Sequence, residues 1–525
     1  MVKKLFIICF LMVIPLVTFG LGLVSQPIFA AAETPPAPEE DIQVLASGPI
    51  HEAFAEVVAL DPEPGIMAPK APPALIEEIP PNQKPEGDVQ WIPGYWAWDD
   101  DRNEYIWVSG IWRALPPNRQ WVPGYWTPVT NRYQWISGYW ASLKEKETVY
   151  LPEPPESVEI GPSSNAPSSN YIWIPGCWLW QYGRYAWRPG YWVAVHSDWM
   201  WVPAHYNWTP RGYIFVSGYW DYTVIHRGIL FAPVFFPRVR LGLTFSFSPG
   251  FMIDLNIFDD ALFLRHRYYH YYYGDYYARK YYRMGIYPWF SPHARRVVYD
   301  PIYAHQRWNH RKDRGWENHL QTRFRERRDN EGLRPSRSFD QRTGPDKAGG
   351  SSGLARSDFV RPLDPTGKTK TSSTGYRPLS EKERRDFSQR EKEVRTYQKE
   401  RQSRETLRQN MLGDKTSNKT EPNKEKFSRS PIMDRPNKKV DPKNVPPVQY
   451  TAPKTNPNVE PLQRNFSRSW DKSHQPEDKE QEPEAKGHKV RKSGGENEGQ
   501  EEDRRQKPDS MQKRGGEERK RWKER

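Results

Sequence analysis

Cysteine is nearly absent from this sequence. There are two in 525 residues, and Cys9 falls inside an apolar leader, so Cys177 has no intramolecular partner once that leader is removed. Packing alone must then hold the fold. The short patterns that announce chemistry are missing as well. There is no Gly-x-Ser-x-Gly, Walker A, dinucleotide glycine motif or Cys-His pair of recognisable spacing. His266 and His270 are four apart, with His293, His305, His310, Asp254, Asp259, Asp260 and Asp275 nearby in sequence. Without HExxH, paired cysteines or an EF-hand loop they do not form a ligand pattern. The expectation is no catalytic site, no metal and no cofactor.

The leader itself is informative. Lys3 and Lys4 precede an apolar run from Leu5 to about Val24, and small residues follow at Ala30, Ala31 and Ala32. That order is expected of a secretory signal peptide, residues 1–32, cut after Ala32 or Ala30. The alternative is an uncleaved membrane anchor, which Pro15, Gly20 and Gly22 weaken as a helix. No lipobox follows Cys9. Localisation is therefore expected to be exported: periplasm, cell envelope or extracellular space.

Charge is distributed unevenly. Residues 33–220 hold 11 Lys/Arg against 22 Asp/Glu, residues 221–308 hold 11 against 6, and residues 309–525 hold 54 against 37. The basic character thus belongs mainly to the tail, which also lacks apolar residues. A chain of that composition cannot bury enough surface to offset its ordering entropy, so residues 309–525 are expected to be disordered. One solvated helix is expected at about 380–412. It has a capping box (Ser380 with Glu383), acid-before-base pairs such as Glu381 with Arg385 and Glu391 with Arg395, and a stop at Gly413. Residues 33–88 are rich in Pro and Glu and read as an extended lead-in.

Tryptophan dominates what lies between. Of 23 in the chain, 18 fall from Trp91 to Trp220. Units of the form Tyr-x-Trp-x-Pro/Ser-Gly-x-Trp begin at Trp91, Trp107, Trp121 and Trp135, then at Trp173, Trp187, Trp201 and Phe215. Their spacing defines two blocks of four, residues 89–142 and 171–222, joined by a Pro/Ser linker at 143–170. Each unit is expected to be one small β-hairpin turning at its Pro/Ser-Gly pair. The turn glycines are then Gly94, Gly110, Gly124, Gly138, Gly176, Gly190 and Gly218. Trp173 would face Trp178, Ile92 would face Tyr95, and Val122 would face Tyr125. Pro-Gly is not the ideal two-residue hairpin turn, so a looser, bulged hairpin is the alternative. After residue 222 an aromatic, Tyr-rich β segment is expected to about Trp308. Residues 239–247 and 251–258 read as two further antiparallel strands.

The eightfold Trp-x-x-Gly-x-Trp resembles the WXXGXW-repeat proteins, exported bacterial proteins without assigned activity. The resemblance covers residues 89–222. It departs from the motif at Ala204, Tyr206 and Phe215. The stretches "HEAFAE", "RGILFAPVFF" and "YYYGDYY" are similar to longer secreted proteins of planctomycete type. The resemblance carries no catalytic residues with it.

The expected fold is all-β: tandem aromatic hairpins forming antiparallel sheet, then the disordered tail. The tryptophan ladder comprises Trp91, Trp96, Trp107, Trp112, Trp121, Trp126, Trp135, Trp140, Trp173, Trp178, Trp187, Trp192, Trp201 and Trp220. Buried, it replaces an aliphatic core; exposed, its flat faces stack on sugar rings. Both readings stand at this stage. The expected role is a non-catalytic structural or binding protein of the envelope or extracellular space, holding cell-wall glycan on aromatic faces or an anionic envelope polymer on the tail. No RNA-recognition signature is present, so nucleic acid carries little weight. A membrane is a partner only if the leader stays uncleaved. The alternatives are an envelope-associated hydrolase using Asp254 or Asp275, and a membrane-anchored scaffold.

Overall fold

The computed structural model describes residues 42–237, 246–292, 298–337, 359–363, 375–406, 423–426, 428–434 and 445–447. The leader with its cleavage sites, most of the strand expected at 239–247, His293 and much of the tail lie outside the described residues. No described helix is long and apolar enough to cross a membrane.

The repeats form four long antiparallel hairpins, each made from two motifs. Tyr95–Asp99 pairs with Glu104–Val108, and the flanking strands Val89–Ile92 and Ile111–Ala114 pair with each other. Tyr95 lies opposite Val108 and Ile92 opposite Ile111, so the register runs unbroken past Pro93-Gly94 and Ser109-Gly110. The second hairpin pairs Tyr125 with Ile136 and Val122 with Tyr139. In the third, Cys177 meets Arg188 and Ile174 meets Tyr191. In the fourth, His205 meets Val216 and Val202 meets Tyr219. This corrects the expectation of one hairpin per motif. Trp173 faces Trp192, not Trp178, which faces Trp187.

The turn chemistry explains the difference. Pro/Ser-Gly has the wrong twist for a two-residue hairpin and acts instead as a hinge in the middle of each strand. The reversal occurs between motifs, at short polar loops. Tyr182 and Gly183 both have positive φ, 51° and 77°, as a type I′ turn requires. Thr130 holds φ 51° in the second hairpin and Asn103 φ 52° in the first.

Short strands complete these hairpins. Val234–Phe235 adds to the first, Met67–Ala68 to the second and Glu147–Leu151 to the fourth. The lead-in is extended, and it lies inside the molecule: Leu45, Ile50, Ala53 and Phe54 are buried. The Tyr-rich segment builds a four-stranded sheet ordered Gly48–Pro49, His270–Tyr273, Leu262–Arg265 and Ile286–Pro288. Its buried phenols reach acceptors in the chain, Tyr271 to Asp300 at 2.6 Å and Tyr273 to the Leu45 carbonyl at 2.8 Å. Among the described residues, the two strands expected around 239–258 do not pair with each other. Ser246–Phe247 lies parallel to Glu77–Glu78, and Phe251–Ile253 pairs with Val360–Pro362.

The described chain is mixed rather than all-β. Order does not end at Trp308: after a helix at Pro301–Asn309, a second helix spans Trp316–Asp329, within the part expected to be disordered. The helix Glu381–Thr406 starts at the expected capping box, where the Ser380 N–H donates to Glu383 at 3.0 Å. It is not solvated. Val394 and Tyr397 enter the main core, and buried Arg401 donates to the carbonyls of Pro123 and Ser137, the hinge residues of the second hairpin. Glu405 pairs with Arg401 at 3.0 Å and accepts from Tyr125 at 2.7 Å. With buried Glu391, which accepts from the Glu78 N–H at 3.3 Å, three buried polar residues dock a helix whose apolar stripe is thin.

Candidate functional site

Each hinge has a reciprocal design. The first Trp of one motif covers the glycine of the other: a Cβ on Gly110 would lie 2.5 Å from Trp91 Cζ2, and one on Gly138 2.4 Å from Trp121 Cζ2. The same holds for Gly124 under Trp135, Gly176 under Trp187, Gly190 under Trp173 and Gly218 under Trp201; at Gly94 the near indole atom is Trp107 Nε1. Only glycine leaves room for the ring. The fourth hairpin shows the converse. Ala204 stands where the other motifs have glycine, and the residue that would cover it is Phe215 rather than tryptophan; the two pack in one cluster. Two of the three departures from the motif, Ala204 and Phe215, are therefore one compensated change.

Three hinges also hold a carboxylate. Trp107 Nε1 and the Gly110 N–H donate to Glu78 Oε1 at 3.1 and 2.8 Å, and the Gly94 N–H donates to Oε2 at 2.6 Å. Trp135 and Gly138 donate likewise to Glu52, at 2.7 and 3.0 Å. Trp173 and Gly176 donate to Glu159, at 3.0 and 2.5 Å. Trp-x-x-Gly thus places an indole N–H and a backbone N–H on one carboxylate. Burial pushes the Glu78 carboxyl up to about 7 against these donors, with Glu391 nearby adding repulsion. Burial would also raise Glu52, but His270 at 2.6 Å and the hinge donors outweigh it and hold that carboxyl below its ordinary value. The fourth hinge takes Arg119 instead, which donates to the Ser217 and Gly218 carbonyls. Nothing local in the sequence marks Glu52, Glu78 or Glu159, since they come from the lead-in and linker.

Within each hairpin the tryptophans meet in cross-strand pairs. Trp91 with Trp112, Trp96 with Trp107, Trp173 with Trp192 and Trp178 with Trp187 have ring centroids 5.2–5.3 Å apart in edge-to-face contact. Trp121 with Trp140 and Trp126 with Trp135 are tilted, and Trp201 meets Trp220 at 5.1 Å. Such pairs contribute about 1 kcal/mol each beyond area burial.

Exposure separates the ladder into two classes. Trp91, Trp96, Trp107, Trp112, Trp121, Trp135, Trp140, Trp201 and Trp220 are buried, at 6% exposure or less, and Trp126 is partly covered. Trp173, Trp178, Trp187 and Trp192 of the third hairpin are all half-buried. The Pro/Ser linker runs along this hairpin and accepts from three of them, at Glu159, the Glu156 carbonyl and Ser164. Beyond the linker the hairpin tip carries Trp180 against Tyr185, centroids 4.8 Å apart, and Tyr182, which is 98% exposed. A bulky residue with positive φ is uncommon, and one that is also fully solvated is held there against its preference. Burial pushes the Cys177 thiol up to about 11, so it is an inert small core residue.

The two acidic residues considered for a hydrolase each face a different arginine. Asp254 sits 3.7 Å from Arg361 and Asp275 2.8 Å from Arg337. Among the described residues no group of three or more His, Cys, Asp or Glu is arranged to hold a metal ion.

No curated protein and no solved structure matches the chain. The family described as the WXXGXW repeat (2 copies) matches residues 90–113, 121–141, 169–193 and 197–221. Each match falls on one of the four long hairpins, so the two copies in the family unit are the two motifs whose tryptophans and glycines interlock. The chain carries the WXXGXW repeat in these four segments.

Proposed function

We propose that this is a non-catalytic, exported protein of the cell envelope or extracellular space that grips glycan on the aromatic surface of its third hairpin. The observation that carries this reading is the contrast in exposure. Nine of the ten ladder tryptophans in the other three hairpins are buried as core, while the third hairpin leaves all four of its own half-buried and adds Trp180, Tyr182 and Tyr185 at a solvated tip. Flat rings fixed by cross-strand pairing and a hinge carboxylate are pre-organised for stacking on sugar faces, which lowers the ordering cost of binding. The signal-like leader supports the envelope setting. The basic tail gives a second contact for anionic polymer there.

The test is affinity electrophoresis and calorimetry of the full chain against soluble cell-wall fragments and a polysaccharide panel. Wild type is expected to bind one class saturably, with Y182A weakening it at least fivefold at unchanged melting temperature and W187A weakening it at least fivefold with some loss of hairpin stability. Binding unaffected by both substitutions, or no binding to any panel member, would refute the assignment.

A further inference from the structure

The third hairpin is also the only one of the four whose tip-side second strand has no third strand beside it among the described residues. In the first hairpin Trp107 pairs with Val234. In the second, Tyr133 and Gln134 pair with Ala68 and Met67. In the fourth, Tyr213 and Ile214 pair with Leu151 and Tyr150. The motif alignment puts Tyr185 and Ala186 at the positions of Tyr133-Gln134 and Tyr213-Ile214. Among the described residues, Arg184–Arg188 pairs with Cys177–Gln181 alone. An unpaired strand edge presents a row of backbone donors and acceptors ready for a further strand.

The three built-in strands indicate what fits. Each is antiparallel, short and apolar, and each touches a proline: Pro233 before Val234, Pro69 after Ala68, Pro152 after Leu151. The open edge differs from its equivalents in charge. Where they have Val108, Ile136 and Val216, it has Arg188, whose Nε and Nη2 are buried without a hydrogen-bond partner among the described residues. Leaving buried guanidinium donors unpaired is costly, and a carboxylate is their best acceptor. A second copy of the same edge fits badly, since antiparallel self-pairing about Ala186 would set Arg184 opposite Arg188.

We propose that Arg184–Arg188 is a β-augmentation site for a partner polypeptide: a short, apolar, proline-flanked strand bearing a carboxylate that pairs with Arg188. This goes beyond glycan binding, because it uses the strand edge and its backbone rather than the ring faces.

A labelled heptapeptide with the sequence of residues 147–153 (Glu-Thr-Val-Tyr-Leu-Pro-Glu) serves as probe, titrated by anisotropy against the full chain. Hydrogen exchange reads the backbone in parallel. Expected are saturable binding, slowed exchange across 184–188, and at least fivefold weaker binding when both peptide glutamates are replaced by glutamine. That charge preference should vanish in R188Q and persist in R188K, with both variants melting as wild type does. Slow exchange at 184–188 in the free monomer, protection confined to other segments, or an unchanged preference in R188Q would each overturn the proposal. Concentration-dependent self-association that protects the same amides would overturn it in favour of a second copy.

Discussion

The compensated pair in the fourth hairpin can be transplanted. In the third hairpin the residues equivalent to Ala204 and Phe215 are Gly176 and Trp187. A Cβ on Gly176 would lie 2.3 Å from Trp187 Cζ2 and 2.7 Å from the Arg188 carbonyl. G176A alone therefore overpacks the hinge and is expected to cost about 1–3 kcal/mol. W187F alone removes part of a half-buried ring from a pair with Trp178, at a cost of about 1 kcal/mol. The Glu159 bonds survive both changes, since the donors are Trp173 Nε1 and a backbone N–H. In the double variant the smaller ring removes the Cζ2 clash and leaves only the Arg188 carbonyl contact, so the alanine should cost clearly less than it does alone. The two substitutions then couple by about 1–2 kcal/mol in the stabilising direction. Native-state hydrogen exchange across 171–194 reads this locally, without requiring the whole chain to unfold in two states. Additive effects within about 0.5 kcal/mol would refute the claim that ring and glycine are reciprocal.

Other consequences are equally direct. The folded Glu78 carboxyl is raised from 4.5 to about 7, so its contribution to stability is fully present below about pH 4.5 and is lost as pH rises to about 7. Denaturant melts should show wild type losing up to about 3 kcal/mol relative to E78Q across that window, and no further difference above it. Arg401→Ala leaves Glu405 buried without its ion-pair partner and uncaps Pro123 and Ser137. It should destabilise the docked helix by about 3–5 kcal/mol, seen as rapid proteolysis between residues 381 and 406. Y182G relieves a positive-φ tyrosine and should stabilise the third hairpin by about 1 kcal/mol in hydrogen exchange, while weakening glycan binding.

The sequence already contained the recurring motif and the capping box at Ser380. It did not settle which motif pairs with which. A hairpin within "YIWIPGCWLW" and one spanning two motifs both set apolar residues opposite apolar residues, so patterning alone could not choose. The signal that distinguishes them is turn chemistry, since polar pairs such as Thr130-Asn131 and Tyr182-Gly183 separate alternate motifs and Pro-Gly makes a poor two-residue hairpin. The hinge carboxylates were illegible for a different reason. Glu78 and Glu52 reach their tryptophans across 29 and 83 residues of chain, and no local pattern encodes such a contact. The helix looked solvated because its docking residues include Glu391, Arg401 and Glu405, whose burial depends on partners far away in sequence. For the candidate site, the motif named all fourteen ladder tryptophans alike; only packing separates the four of the third hairpin from the nine buried ones.

The most direct test of that separation is residue-resolved hydroxyl-radical footprinting of the full chain, with and without the bound glycan class. Oxidation is predicted to concentrate on Trp173, Trp178, Trp187, Trp192 and Tyr182 and to be suppressed there on binding, with Trp96, Trp107 and Trp112 unlabelled in both states. Comparable labelling of the first and third hairpins, or suppression elsewhere alone, would contradict the account.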